Sequence, residues 1–236
     1  MLLSAVDKAL DQLDWAGIER QLDTEGYAVI PGVPRREAGR GLMRLSSAAG
    51  VERETLESRG LGRGELLCFG AALPAPLAQW RAGFYRRLVA IANRWNETLG
   101  VDYRYPTELE DFLLRNRRAG QVRMQCHVSR LGVEDHVCLH QRNDGEHVFP
   151  LQIVALLSEP GVDFQGGEFV MTEQRPRMQS RPMVVPLGLG DLAIITTAQR
   201  PFKGAKGYYR VSLKHAISRV RQGERLGLEL SFHDAP

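Results

Sequence analysis

Near Val122 the sequence changes its period. Beyond that point, runs of β-branched and aromatic residues are separated by clusters of Gly, Pro, Asp and Asn, the pattern of short strands punctuated by turns. Eight runs fit, over 122–130, 136–140, 148–158, 168–172, 183–187, 191–197, 208–218 and 226–233. Strands of that number and spacing predict a sandwich or jelly roll. Before Val122 the spacing is helical. Helices first and strands later predict an α+β fold, with N-terminal helices packed on one face of a jelly-roll barrel. With no internal repeat and no low-complexity linker, the 236 residues are expected to form one domain over 1–236. Its 1–120 part is mainly helical and 121–236 is the jelly-roll core.

The helical reading rests on particular residues. Leu3, Val6, Leu10 and Leu13 predict a helix over 2–21, and Trp80, Phe84, Leu88, Ile91 and Trp95 predict a longer one over 77–99. Shorter helices are expected over 34–49 and 107–117, and strands over 26–30 and 62–69.

Composition excludes more than it selects. The 31 basic and 28 acidic residues leave a net charge of +3. The arginines are scattered and form no basic run, so nucleic acid is a weakly supported partner and a small-molecule substrate is preferred. Cys68, Cys126 and Cys138 are odd in number and spaced for neither a zinc site nor a disulfide framework. A cytoplasmic protein is expected. The first residues soon reach Asp7, Lys8 and Asp11, unlike a secretory signal. No apolar stretch is long enough to cross a membrane.

The chemistry-bearing segments are Cys138-Leu139-His140-Gln141-Arg142-Asn143-Asp144-Gly145, Gly166-Gly167-Glu168-Phe169, Arg200-Pro201-Phe202-Lys203-Gly204 and Tyr209-Arg210-Val211-Ser212. With Gly62-Arg63-Gly64-Glu65 upstream, this ordered series resembles the Fe(II)/2-oxoglutarate-dependent dioxygenases. The resemblance is closest to a bacterial subfamily associated with oxidative demethylation of damaged DNA. It covers nearly the whole chain and implies a double-stranded β-helix of the jelly-roll, cupin-like kind.

The resemblance also implies a site. Such enzymes hold iron with His-x-Asp and a distal histidine, leaving three positions open. A basic residue some ten positions after the distal histidine pairs with 2-oxoglutarate. His140 matches the first histidine, the aspartate falls at Arg142, and the distal histidine falls at Gln199. Arg210 then matches the 2-oxoglutarate-binding residue. A guanidinium in place of a carboxylate repels a dication by several kcal/mol at ~4 Å, so Fe(II) is expected to be largely lost. 2-Oxoglutarate or another carboxylate remains a ligand expectation.

Other readings stay open. Asp144 is either a shifted metal ligand or a turn former in Asn143-Asp144-Gly145. His127, His136 and His140 either line the barrel as an irregular metal site or are hydrogen-bonded core residues. Strand alternation turns His215 away from Arg210. Arg142 and Arg210 together would make an anion pocket. The functional expectations are three. The first is a repurposed family member, with His140 as acid or base in metal-free chemistry or with no catalysis at all. The second is an oxygenase with irregular ligands. The third is a nucleic-acid-binding module.

Overall fold

The computed structural model describes residues 5–32, 51–70 and 72–236. The helix expected over 34–49 lies outside them, as do residues 2–4 of the first helix. The remainder of that first helix divides in two, α1 (Ala5–Asp11) and α2 (Trp15–Glu25). The break falls at Asp14, whose side chain accepts from the Gly17 backbone N–H at 2.9 Å and so starts a new helix. Gly26, at φ +79°, ends α2 in the left-handed conformation. The long helix is α3 (Ala75–Thr98), with its proline in the first turn, and α4 spans Leu109–Arg118.

The strands form two facing antiparallel sheets. β1 (Tyr27–Ile30), β2 (Val51–Thr55), β4 (Glu65–Phe69), β5 (Arg123–Leu131), β7 (Leu151–Leu156), β11 (Leu192–Thr196) and β15 (Arg225–Ala235) build the larger, in the order β1-β11-β7-β15-β5-β4-β2. The smaller is β10-β9-β13-β6-β3, from β3 (Gly62–Arg63), β6 (His136–His140), β9 (Phe169–Gln174), β10 (Arg181–Val185) and β13 (Gly207–Ile217). β12 (Gln199–Gly204) pairs only with β13, and β8 (Phe164–Gly166) pairs with β14 (Val220–Gly223).

Period-2 alternation divides the larger sheet into two faces. Cys126, Val128, Leu151, Ile153, Leu192, Ile194, Leu228 and Leu230 pack against helix residues such as Leu22, Phe84, Leu88 and Phe112. The opposite face meets the smaller sheet, and Val154, Leu156, Ala193 and Ile195 pack there with Phe169, Met171, Val211, Leu213 and Ile217. The helices therefore cover one outer face of the barrel, as the order of elements predicts. Four strands, β2, β8, β12 and β14, escape the sequence pattern. Residues 200–204 read as a turn because of Pro201 and Gly204, yet β12 is a strand. Proline is accommodated there because β12 has a neighbour on one side only.

Candidate functional site: a buried charge cluster between the sheets

Along the inner face of the larger sheet, polar side chains interrupt the apolar lumen. β15 carries Arg225, Glu229 and Ser231 on its inner face, all buried. β5 adds His127 as the direct cross-strand partner of Glu229, and β7 adds buried Gln152. β13 adds His215 opposite His140 on β6.

His140 and His215 have ring centroids 4.2 Å apart. The second face of His215 stacks on Phe169 at 5.9 Å and 7°, and its Nε2 lies 3.3 Å from the Gln152 amide nitrogen. His140 Nδ1 lies 2.9 Å from the Cys138 carbonyl oxygen and so carries the proton. Its Nε2 is a buried lone pair with no partner. Burial holds the His140 imidazole below its ordinary pKa, and the Arg142 charge adds to that. Burial likewise drives His215 well down, helped by His140.

Arg142 lies two residues beyond the end of β6. Its backbone N–H donates to the Thr197 carbonyl at 3.2 Å, which turns the side chain inward. The guanidinium Nη2 donates to Glu229 Oε2 at 3.1 Å and approaches His127 Nε2 at 3.5 Å. Both members of the ion pair are 5% exposed. Burial pushes the Glu229 carboxyl up, but the neighbouring charge of Arg142 and the His127 contact outweigh it and hold it well below its ordinary value. Burial lowers His127 despite Glu229, so its 3.7 Å approach to Glu229 Oε1 joins a neutral ring to a carboxylate.

Within the cluster the second buried guanidinium is Arg225. Its Nε donates to the Gly167 carbonyl at 2.8 Å, and its Nη1 has no partner. Burial brings its pKa down to about 10. Arg225 lines a void of about 10 Å³ together with Ser129, Gly227 and Glu229.

The structure brings His140 and Arg142 into the lumen and leaves the other expected residues outside. Gln199 and Arg210 are both exposed. On β13 the residues 211, 213, 215 and 217 face inward, so 210 and 212 face out. Gln199 pairs with Ser212 and shares that outer face. Gln199 and Arg210 instead line an external groove of about 300 Å³ with Asn143 and Asn96. The anion pocket expected from Arg142 and Arg210 is corrected accordingly: the guanidinium that reaches the lumen with Arg142 is Arg225. Asp144 is exposed in the β6–β7 connection and does not approach His140 as a ligand. His136 also departs from expectation. A register irregularity pairs His215 with His140 but Ile217 with Val137, which breaks the alternation and leaves His136 beside Arg63.

His215, Arg225 and Glu229 are the residues that sequence reasoning missed. A signal existed for the first two: Arg225 follows His215 by ten positions, the spacing of distal histidine and basic residue described above. Among the described residues, no group of three or more His, Cys, Asp or Glu side chains is placed to hold a metal ion.

Two facing antiparallel sheets with paired histidines between them define the double-stranded β-helix of the 2-oxoglutarate-Fe(II) oxygenases. Solved structures with this fold include a prolyl hydroxylase of Trichoplax adhaerens in complex with a hypoxia inducible factor oxygen degradation domain peptide fragment (TM-score 0.56, 12% identity, covering 98% of this chain and 94% of that one). Another is a prolyl-4-hydroxylase of Pseudomonas putida (TM-score 0.53, 13% identity, 94% and 99% covered). At such identities the likeness is one of fold. The chain belongs to the Oxygenase-NA family, whose pattern matches residues 64–235 and whose description reads "Oxygenase, catalysing oxidative methylation of damaged DNA". An uncharacterized protein of Mycobacterium tuberculosis strain H37Rv is 39% identical over 166 residues, 69% of this chain and 71% of that protein. Among the described residues no helix is long and apolar enough to cross a membrane.

Proposed function

We propose that this chain is a family member that does not use iron, in which a buried ion pair stands in the metal's place. The single observation that carries this reading is the 3.1 Å contact between Arg142 and Glu229 beside His140 and His215. Two imidazoles of a 2-His-1-carboxylate site remain, but the third position presents a fixed cation. A dication there would face repulsion of several kcal/mol at ~4 Å, and the Glu229 carboxylate is already engaged. These residues do not fit Fe(II).

What the lumen still offers is a neutral imidazole with a free Nε2, which can accept a proton, next to a guanidinium that would stabilise the charge formed. A small-molecule ligand suits this enclosed site better than nucleic acid, for which the support is the family's description alone. Iron titration with measurement of succinate formation from 2-oxoglutarate tests the reading. We expect no stoichiometric iron and no succinate from the native chain. The Arg142→Asp/Glu229→Ala variant, which restores a carboxylate and removes the competing one, should take up iron. Succinate from the native chain would return it to the oxygenases proper. DNA binding that weakens steeply with salt would favour the nucleic-acid reading instead.

A further inference from the structure

We propose that the external groove beside β12 is a second ligand site, outside the lumen, for a small monocarboxylate that carries an apolar body and an amide group. It differs from the pocket that the resemblance implies for Arg210: it opens outward, and nothing in it depends on whether the lumen holds iron. The groove, about 300 Å³ in volume, lies between the end of α3 and the β12–β13 hairpin. Its walls are held by the protein itself. On one side the Val101 backbone N–H donates to the Asn96 carbonyl at 2.8 Å, and the Asn96 side chain donates to the Tyr103 carbonyl at 2.9 Å. On the other, the Gln141 side chain donates to the carbonyls of Ala198 at 3.1 Å and Leu213 at 2.8 Å. A site formed in advance loses less on binding than one that must first be ordered.

Leu99, Val101, Val148 and Pro150 line the groove half-buried, so an apolar body laid there would cover surface now facing water. Three polar side chains beside them are unspent. Asn143, Gln199 and Arg210 all line the groove, and among the described residues none of the three side chains has a hydrogen-bond or ion-pair partner. Exposed arginines elsewhere, such as Arg130, Arg181 and Arg219, do meet a carboxylate. The Arg210 guanidinium matches a carboxylate fork to fork. Among the described residues that line the groove it is the one cation, so it balances a single charge and favours a monocarboxylate over a phosphate dianion. The Asn143 and Gln199 amides each offer donors and an acceptor, the complement of an amide in the ligand. The volume stands at the low end for small-molecule sites. Charge, amide and apolar body together describe an N-acylated apolar amino acid.

The test uses the full chain with EDTA at constant ionic strength, so that no metal contributes, and N-acetyl-leucine as the probe. Calorimetric titration of native protein should give a Kd of about 1 mM or tighter. Acetate, which lacks the apolar body, and N-acetyl-leucinamide, which lacks the charge, should each bind at least about tenfold more weakly. Arg210 and Gln199 are exposed, so Arg210→Gln and Gln199→Ala should melt with the native chain. Arg210→Gln should weaken N-acetyl-leucine about tenfold and leave N-acetyl-leucinamide unchanged. Gln199→Ala should weaken both severalfold. Absence of binding to the native chain at about 10 mM probe, well above the expected Kd, would overturn the proposal. So would undiminished binding of N-acetyl-leucine to Arg210→Gln, which would place the probe elsewhere, in the lumen or on the surface at large. Phenyl phosphate binding more tightly than N-acetyl-leucine would overturn the assignment to a carboxylate.

Discussion

At Arg142 the physical argument is one of charge left alone. Two opposite charges out of water are tolerable together and costly apart. Arg142→Ala should therefore destabilise the protein by about 3–5 kcal/mol, because it strands the Glu229 carboxylate. The Arg142→Leu/Glu229→Leu double variant should lose much less, or nothing. Urea unfolding of both variants checks this, and equal losses would show that packing, not charge, is at stake. The residue scale is also where the sequence was least legible. His140 and Arg142 could be placed because one ends a strand and the other lies two residues past it. Gln199 and Arg210 were misplaced because residues 200–204 have the composition of a turn and hid the hairpin that turns them outward. Glu229 could not be found from its neighbours: Leu226, Leu228 and Leu230 mark one face of the strand and Glu229 the other, but alternation alone assigns a polar face to solvent and does not reveal that a second sheet covers it.

Among elements, α2 shows how one side chain fixes a junction. Arg200, fully buried on β12, donates to the backbone carbonyls of Asp23 at 2.6 Å and Thr24 at 2.8 Å. It thereby closes the helix C-terminus where carbonyls lack partners. It also pairs with Glu173 of β9, itself 1% exposed. Arg200→Met would unpair both, leaving Glu173 only its 3.1 Å contact with Arg175. A loss of about 3 kcal/mol is expected in urea unfolding; a loss below about 1 kcal/mol would mean that Arg175 suffices. Elements were read well from the sequence wherever one face is apolar, as in α3, β5, β7 and β11. They were missed where a strand is an edge or is only a few residues long, as in β2, β8, β12 and β14, because such strands bury too little to impose alternation.

For the molecule as a whole, buried imidazoles link stability to pH. Burial lowers His127, His140 and His215, and brings His233, which is fully buried, down to about 3. In the unfolded chain each would titrate near ~6.5. Above that value both states are neutral and pH has no leverage. As pH falls below it, the unfolded chain takes up protons first, and stability drops until the folded groups also charge. His233 alone should account for roughly 4 kcal/mol of loss between neutral pH and pH ~3. Urea midpoints across that range should fall steeply in the native chain and less so in His233→Phe. The overall architecture was the most legible level, since an ordered set of motifs and a change of period near Val122 both point to helices laid on a β-barrel. The Arg142–Glu229 contact has one more consequence, for how such a sequence can change. Any single substitution that removes the charge at either position passes through a protein with a lone charge in its interior. The two sites are therefore epistatically locked, and neutral drift at one is blocked until the other moves with it.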